Sequence, residues 1–160
     1  MSRRRWQLSV LAGLLAVGVG GAVWWSQRPS DEEIALHFLN RCGEEDYAKA
    51  RSLLKSNPRI VRHRIGLYDG TLLHAVALFF SSTKPPEMLL AFGADLNARD
   101  ALGQTPLRCA LEAGNEPVAR FLLARGAILG PAATRPTTQQ VLDQLRRKHP
   151  DVKVTTGPAQ

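Results

Sequence analysis

The sequence predicts an all-α fold: a solenoid of about three helix pairs with a C-terminal capping helix, preceded by one N-terminal transmembrane helix. Three observations carry that prediction. Two stretches of chain align without gaps at a spacing of about 33 residues, an uncharged apolar run lies near the N-terminus, and one more amphipathic segment follows the last repeat. A period of that length marks stacked helix pairs, each of which buries its apolar face only against its neighbours. With 160 residues, 44% apolar and 22% charged, the chain has room for one modest domain and is too apolar to be disordered throughout.

The first element is the apolar run. Residues 1–5 form a short basic end, and Leu8 to Trp25 is a stretch without charge, framed by Trp6 before it and by Trp24 and Trp25 at its end. At about 1.5 Å per residue, a helix of that length reaches roughly 27 Å, near the thickness of a bilayer's hydrocarbon core. Tryptophans at both ends suit the membrane interfaces. We assign 6–25 as a transmembrane signal-anchor and 26–30 as a linker. Arg3, Arg4 and Arg5 precede the span and Asp31, Glu32 and Glu33 follow it, which places the N-terminus in the cytosol and the remainder in the periplasm or another extracytoplasmic space. The competing reading is a signal peptide cleaved after Gly20 and Ala22, releasing the domain to the periplasm. Ser2-Arg3-Arg4-Arg5-Trp6 also resembles a twin-arginine export motif, from which Gln7 and Leu8 depart.

Charge points away from nucleic acid. The net +7 includes four arginines before the first acid at Asp31, leaving +3 (7 − 4) spread over the rest in mixed sign. Phosphate binding needs a concentrated basic face.

The repeats come next. Leu89-Leu90-Ala91-Phe92-Gly93-Ala94 recurs as Leu122-Leu123-Ala124-Arg125-Gly126-Ala127, an offset of 33 residues (126 − 93), and Thr71-Leu72-Leu73-His74 recurs as Thr105-Pro106-Leu107-Arg108 at 34 (105 − 71). The extra residue is assigned to an insertion near Ser81 to Pro86. Pro106 suits the first turn of a helix, and Gly114 and Gly126 suit helix ends that require a left-handed backbone. Asn115 and Pro117 restart the chain into a second helix, with Val118, Phe121 and Leu122 on one face.

Gly103-Gln104-Thr105-Pro106-Leu107, Ala110, Gly114, Leu122-Leu123 and Gly126-Ala127 resemble an ankyrin repeat, whose signature is G-x-T-P-L-H-x-A followed by a second helix and G-A-D. Gly93-Ala94-Asp95-Leu96-Asn97-Ala98-Arg99-Asp100 resembles the connecting segment of the same family. A degenerate first unit is read from Asp31, with Ile34-Ala35-Leu36-His37 in the place of T-P-L-H. The repeats are set at 31–130, divided at about 31–66, 67–100 and 101–130. The segment 131–149 follows as a C-terminal cap, with a helix from Thr137 or Thr138 to about Lys148 and an apolar stripe of Val141, Leu142 and Leu145. Residues 150–160 are expected to form a disordered tail.

Candidate chemistry is sparse. The resemblance implies a structural hydrogen-bonding role for His37 and His74, and no metal site is expected because one repeat step of about 8 to 10 Å separates them. Cys42 and Cys109 fall two steps apart and are expected to be unpaired, Cys109 in the core and Cys42 accessible. No G-x-S-x-G or H-E-x-x-H occurs, and the acidic clusters Asp31-Glu32-Glu33 and Glu44-Glu45-Asp46 sit at expected helix starts, where they favour the helix dipole. We therefore expect no enzyme, no cofactor and no small-molecule substrate.

What remains is recognition of a protein partner. The resemblance implies binding through loop tips and the exposed side of each first helix, which places partner contacts at Tyr68, Asp69, Arg99, Ala101, Leu102 and Gln104 in the loops and at Leu78, Phe79, Glu112 and Ala113 on the helices. Phe79 and Phe80 are adjacent, and packing of one beneath the 81–86 insertion is the competing reading. Arg59, Arg62 and Arg64, with His63, occupy a connecting loop that departs from the family pattern and are candidates for contact with an acidic partner or lipid. The expected function is a non-catalytic binding module tethered to the inner membrane. Resemblance to small bacterial envelope-type members implies protection or inhibition of another envelope protein. The alternative is a structural scaffold of an envelope assembly with a lipid-facing basic loop.

Overall fold

The computed structural model describes residues 29–130, 136–148, 150 and 155–156. The expected basic end, the span 6–25 and most of the linker lie outside these residues; among the described residues, no helix is long and apolar enough to cross a membrane. The unit 31–160 is mainly helical. Its elements are α1 (Asp31–Gly43), α2 (Tyr47–Ser56), a 3-10 helix (Pro58–Arg62), β1 (Arg64–Ile65), β2 (Gly70–Thr71), α3 (Leu72–Phe79), α4 (Lys84–Ala91), α5 (Pro106–Glu112), α6 (Glu116–Ala124), β3 (Ile128–Leu129), α7 (Pro136–Lys148) and β4 (Thr155–Thr156).

The helices pair as α1/α2, α3/α4 and α5/α6, and their first members stack in the order α1, α3, α5, α7. The most extensive interface is that of α3 on α5. Sequence accounts for this directly: α3 buries Leu72 through Ala77 and α5 buries Pro106 through Leu111, so both central helices are buried on nearly every side, mostly by apolar side chains. The flanking α1 is amphipathic instead, burying Ile34, Ala35, Phe38 and Cys42 along one stripe. The core thus runs as a continuous column along the stack, from Phe38 and Leu54 through Leu73, Leu89 and Leu107 to Leu122, Leu142 and Leu145.

Local signals set the helix ends. Asp46 caps α2 by accepting the Lys49 backbone N–H at 3.1 Å, and the hydrogen bonds from Lys49 hold the Asp46 carboxyl below the usual carboxylate range. Gly114 (φ 67°) and Gly126 (φ 81°) adopt the left-handed backbone expected of them. The insertion resolves to the turn between paired helices, which is 80–83 in the second repeat and 113–115 in the third. Asn115 holds that junction: its Nδ2 donates to the carbonyls of Ala77 at 2.9 Å and Phe80 at 2.8 Å, tying the start of α6 to the end of α3.

Four expectations are corrected. Helix α1 begins at Asp31, at the expected acidic start, so Ile34-Ala35-Leu36-His37 lies inside the helix instead of in the place of T-P-L-H, and His37 is exposed. Cys42, expected to be accessible, is buried, because it falls one helical turn beyond Phe38 on the core stripe. Helix α7 starts at Pro136, whose fixed φ suits a first helical position, ahead of the expected Thr137 or Thr138. Within the tail expected to be disordered, Thr155–Thr156 pairs parallel with Ile128–Leu129 in the register Ile128↔Thr155 and Leu129↔Thr156.

Cap helix α7 covers the end of the stack. Leu142 and Leu145 are buried there, whereas the side chain of Val141 lies outside the described residues. Lys148 Nζ reaches Glu116 Oε2 on α6 at 2.9 Å.

Candidate functional site

The site begins with the segment between the 3-10 helix and α3. Arg64–Ile65 and Gly70–Thr71 form a two-residue antiparallel ladder, and the turn between them holds Gly66 at φ 72° and Asp69 at φ 52°. Few side-chain types accept φ above zero, and Gly and Asp are among them. The hairpin tip therefore projects Leu67 and Tyr68 outward. Leu67 is 98% exposed, an extreme value for an aliphatic side chain on an ordered turn.

Hydrogen bonds hold that tip rigid. Arg64 Nη1 donates to the Asp69 carbonyl at 2.7 Å and to the Arg99 carbonyl at 3.0 Å, and pairs with Asp69 Oδ2 at 3.1 Å. The Ala101 N–H donates to the Tyr68 carbonyl at 2.7 Å. In the following loop, Asp100 Oδ1 accepts the N–H groups of Leu102 at 2.9 Å and Gln104 at 2.8 Å. Successive loop tips are thus fastened to one another before any partner arrives.

His74 anchors the hairpin to the stack. Its Nδ1 accepts the Thr71 backbone N–H at 3.0 Å, with the Thr71 hydroxyl 2.9 Å away, and its Nε2 lies 3.0 Å from the Gln104 carbonyl in the next repeat. A backbone N–H only donates, so Nδ1 is the acceptor and Nε2 carries the proton. Burial is the largest influence on the ring and lowers its pKa below 6.5, with the Gln104 hydrogen bond and Asp100 opposing. The neutral form suits both bonds. Arg108 holds the matching position in the third repeat; it is 2% exposed and pairs with Glu112, Nε to Oε1 at 3.0 Å.

Between the hairpin and the exposed sides of α1, α3 and α5 lies a groove of about 560 Å³. Of the sequence-predicted partner contacts, it brings together Tyr68, Leu78, Phe79, Leu102, Gln104 and Glu112. Asp69, Arg99, Ala101 and Ala113 do not line it; Asp69 is occupied with Arg64, and Arg99 contributes its carbonyl to the same guanidinium. Phe79 is 77% exposed, whereas Phe80 is partly buried against the core.

Besides Glu32, Asp100 and several part-buried side chains, the groove includes two exposed aliphatic side chains that sequence reasoning missed, Leu36 on α1 and Leu67 on the hairpin tip. Both left a signal. Leu36 faces away from the Ile34, Phe38, Cys42 stripe, and Leu67 is a large aliphatic residue inside a Gly/Asp turn.

The basic loop is less available than its sequence implied. Arg59 Nε pairs with Asp31 Oδ1 at 2.6 Å and Arg64 is committed to the hairpin, leaving Arg62 exposed. Cys42 and Cys109 are buried free thiols, each pushed up to about 12 by burial as the leading cause. Among the described residues, no group of histidine, cysteine and carboxylate side chains is arranged to hold a metal.

Residues 87–123, which run from α4 through α5 into α6, match the family model for ankyrin repeats (many copies). Two proteins of Arabidopsis thaliana are similar over parts of the chain. The ADP-ribosylation factor GTPase-activating protein AGD4 is 49% identical over 57 residues, covering 36% of this chain and 7% of that protein. The related AGD2 is 54% identical over 41 residues, covering 26% and 5% respectively. The chain thus spans less than a tenth of the length of either relative, and the activity in their names belongs to those whole proteins. The ankyrin resemblance drawn from Gly93-Ala94-Asp95 and Thr105-Pro106-Leu107 is supported over residues 87–123, and Gly126-Ala127 lie just beyond them.

Proposed function

We propose that this chain is a non-catalytic ankyrin-repeat module that binds a protein partner through the groove and is tethered to a membrane by residues 6–25, with the repeats on the periplasmic or other extracytoplasmic side. One observation carries the binding part: Leu36, Leu67, Tyr68, Leu78, Phe79 and Leu102, all exposed, converge on one groove whose loops are fastened in place. Monomeric surfaces scatter such side chains singly, and a convergent set on a rigid frame is the composition of an interface centre. Protection or inhibition of an envelope protein is the role that follows if the repeats lie on the extracytoplasmic side, where a pre-formed groove would cover a client's exposed segment.

The tether rests on the uncharged run and its flanking charges. The scaffold alternative needs a lipid-facing basic loop, and it is weakened because Arg59 and Arg64 already hold intramolecular partners.

The experiment is crosslinking in intact cells from a photoreactive residue at position 102 or 79, followed by mass spectrometry. One dominant protein, lost on Phe79→Ala, is the expected result. Capture of lipid, or a pattern insensitive to Phe79→Ala, would overturn the binding reading. The tether is tested separately by fractionation: the full chain is expected in the membrane pellet after a carbonate wash, and recovery in the supernatant would refute it.

A further inference from the structure

The groove has a charge character opposite to that of the chain. The sequence carries 21 basic and 14 acidic side chains, yet the charged residues lining the groove are Glu32, Asp100 and Glu112, with no lysine or arginine among the described residues there. These three are not equivalent. Glu112 is offset by the buried Arg108 at 3.0 Å. Glu32 and Asp100 have no ion-pair partner among the described residues, and Asp100 spends one oxygen on two backbone N–H groups. His74, which also lines the groove, is kept neutral by burial and adds no positive charge.

Resting on the binding reading above, we propose that the groove's occupant is an apolar peptide segment of a partner protein that carries lysine or arginine beside its apolar residues. The apolar part covers Leu67 and Phe79, which stand 98% and 77% exposed on separate elements and need a broad macromolecular surface to shield them. The basic part meets the Glu32 and Asp100 carboxylates, which hold no ion-pair partner among the described residues. An acidic segment would bring like charges to Glu32 and Asp100 with no cation in the lining to offset them.

The test uses the full chain in zwitterionic micelles, probing an array of short synthetic peptides that share leucine and phenylalanine positions and differ only in lysine, glutamine or glutamate at the flanks. Lysine-flanked peptides are expected to bind about ten-fold more tightly than glutamate-flanked ones, with the difference shrinking as salt is added. The double variant Glu32→Gln/Asp100→Asn is expected to erase most of that preference, and asparagine retains the oxygen that accepts the Leu102 and Gln104 N–H groups. Leu67→Ala and Phe79→Ala, both at exposed positions, are expected to weaken all peptides alike. Equal or reversed preference, with binding still lost on Phe79→Ala, would overturn this proposal and leave the groove as the binding site. Binding insensitive to both alanine variants, or no binding at all, would overturn both. Self-association of the chain that Phe79→Ala abolishes would identify a second copy as the occupant and overturn the basic-peptide proposal.

Discussion

His74 shows how one side chain joins two repeats. Its ring is buried and spans from the Thr71 N–H to the Gln104 carbonyl, so its removal strands a buried donor and takes one of two hydrogen bonds from a carbonyl that also accepts the Asp100 N–H. His74→Ala is therefore expected to cost about 3 kcal/mol in chemical denaturation. The pH dependence follows from the direction of its shift. The folded pKa lies below the unfolded value of 6.5, so the unfolded state binds the proton first. Stability from this group is complete above about pH 6.5 and falls as acidity rises through the folded pKa. Thermal scans from pH 8 downward should show a declining Tm below about 6.5, and His74→Gln should flatten that decline; an unchanged slope would refute the role. The thiols obey the same reasoning about burial. Cys42 and Cys109, pushed up to about 12, should resist a maleimide or disulfide reagent at pH 8 until the chain unfolds.

At the scale of elements, the hairpin and the cap do different work. Arg64 ties β1, the Asp69 turn and the Arg99 carbonyl together, but it is 45% exposed, so solvent screens its ion pair and the hydrogen bonds carry most of its effect. Arg64→Ala should lower global stability by about 1 kcal/mol or less while accelerating amide exchange at 66–70 and 99–102. Exchange that stays slow would show that the Ala101–Tyr68 bond alone suffices. Helix α7 is the opposite case, since it contributes burial instead of positioning. Leu142 and Leu145 are each 2% exposed at the end of the stack, and Leu145→Ala should cost about 3 kcal/mol through lost transfer energy and the cavity left behind. A cost below about 1 kcal/mol would mean that α7 does not cap the stack.

At the scale of the molecule, the column of buried side chains running from Phe38 to Leu145 makes the helix pairs interdependent, because each covers an apolar face of its neighbour. A fragment beginning at residue 30 should be soluble and helical and should unfold in a single transition by circular dichroism. Aggregation or a non-cooperative loss of signal would place the domain boundary elsewhere.

The parts of this structure legible in the sequence are those set by neighbouring residues. The helix pairs at 71–127 follow from an apolar pattern and from Thr105-Pro106, Gly114 and Gly126, whose conformational preferences act over one turn. The exposure of Leu78 and Phe79 follows from the same register. Only the tertiary structure decided the rest, because it depends on residues distant in the chain. The capture of Arg64 by a loop 35 residues away and the pairing of Thr155–Thr156 with β3 have no local signature. The groove belongs to this second class. Sequence named several of its walls, but its acidic lining arises only when α1, the hairpin and the loop before α5 are stacked side by side.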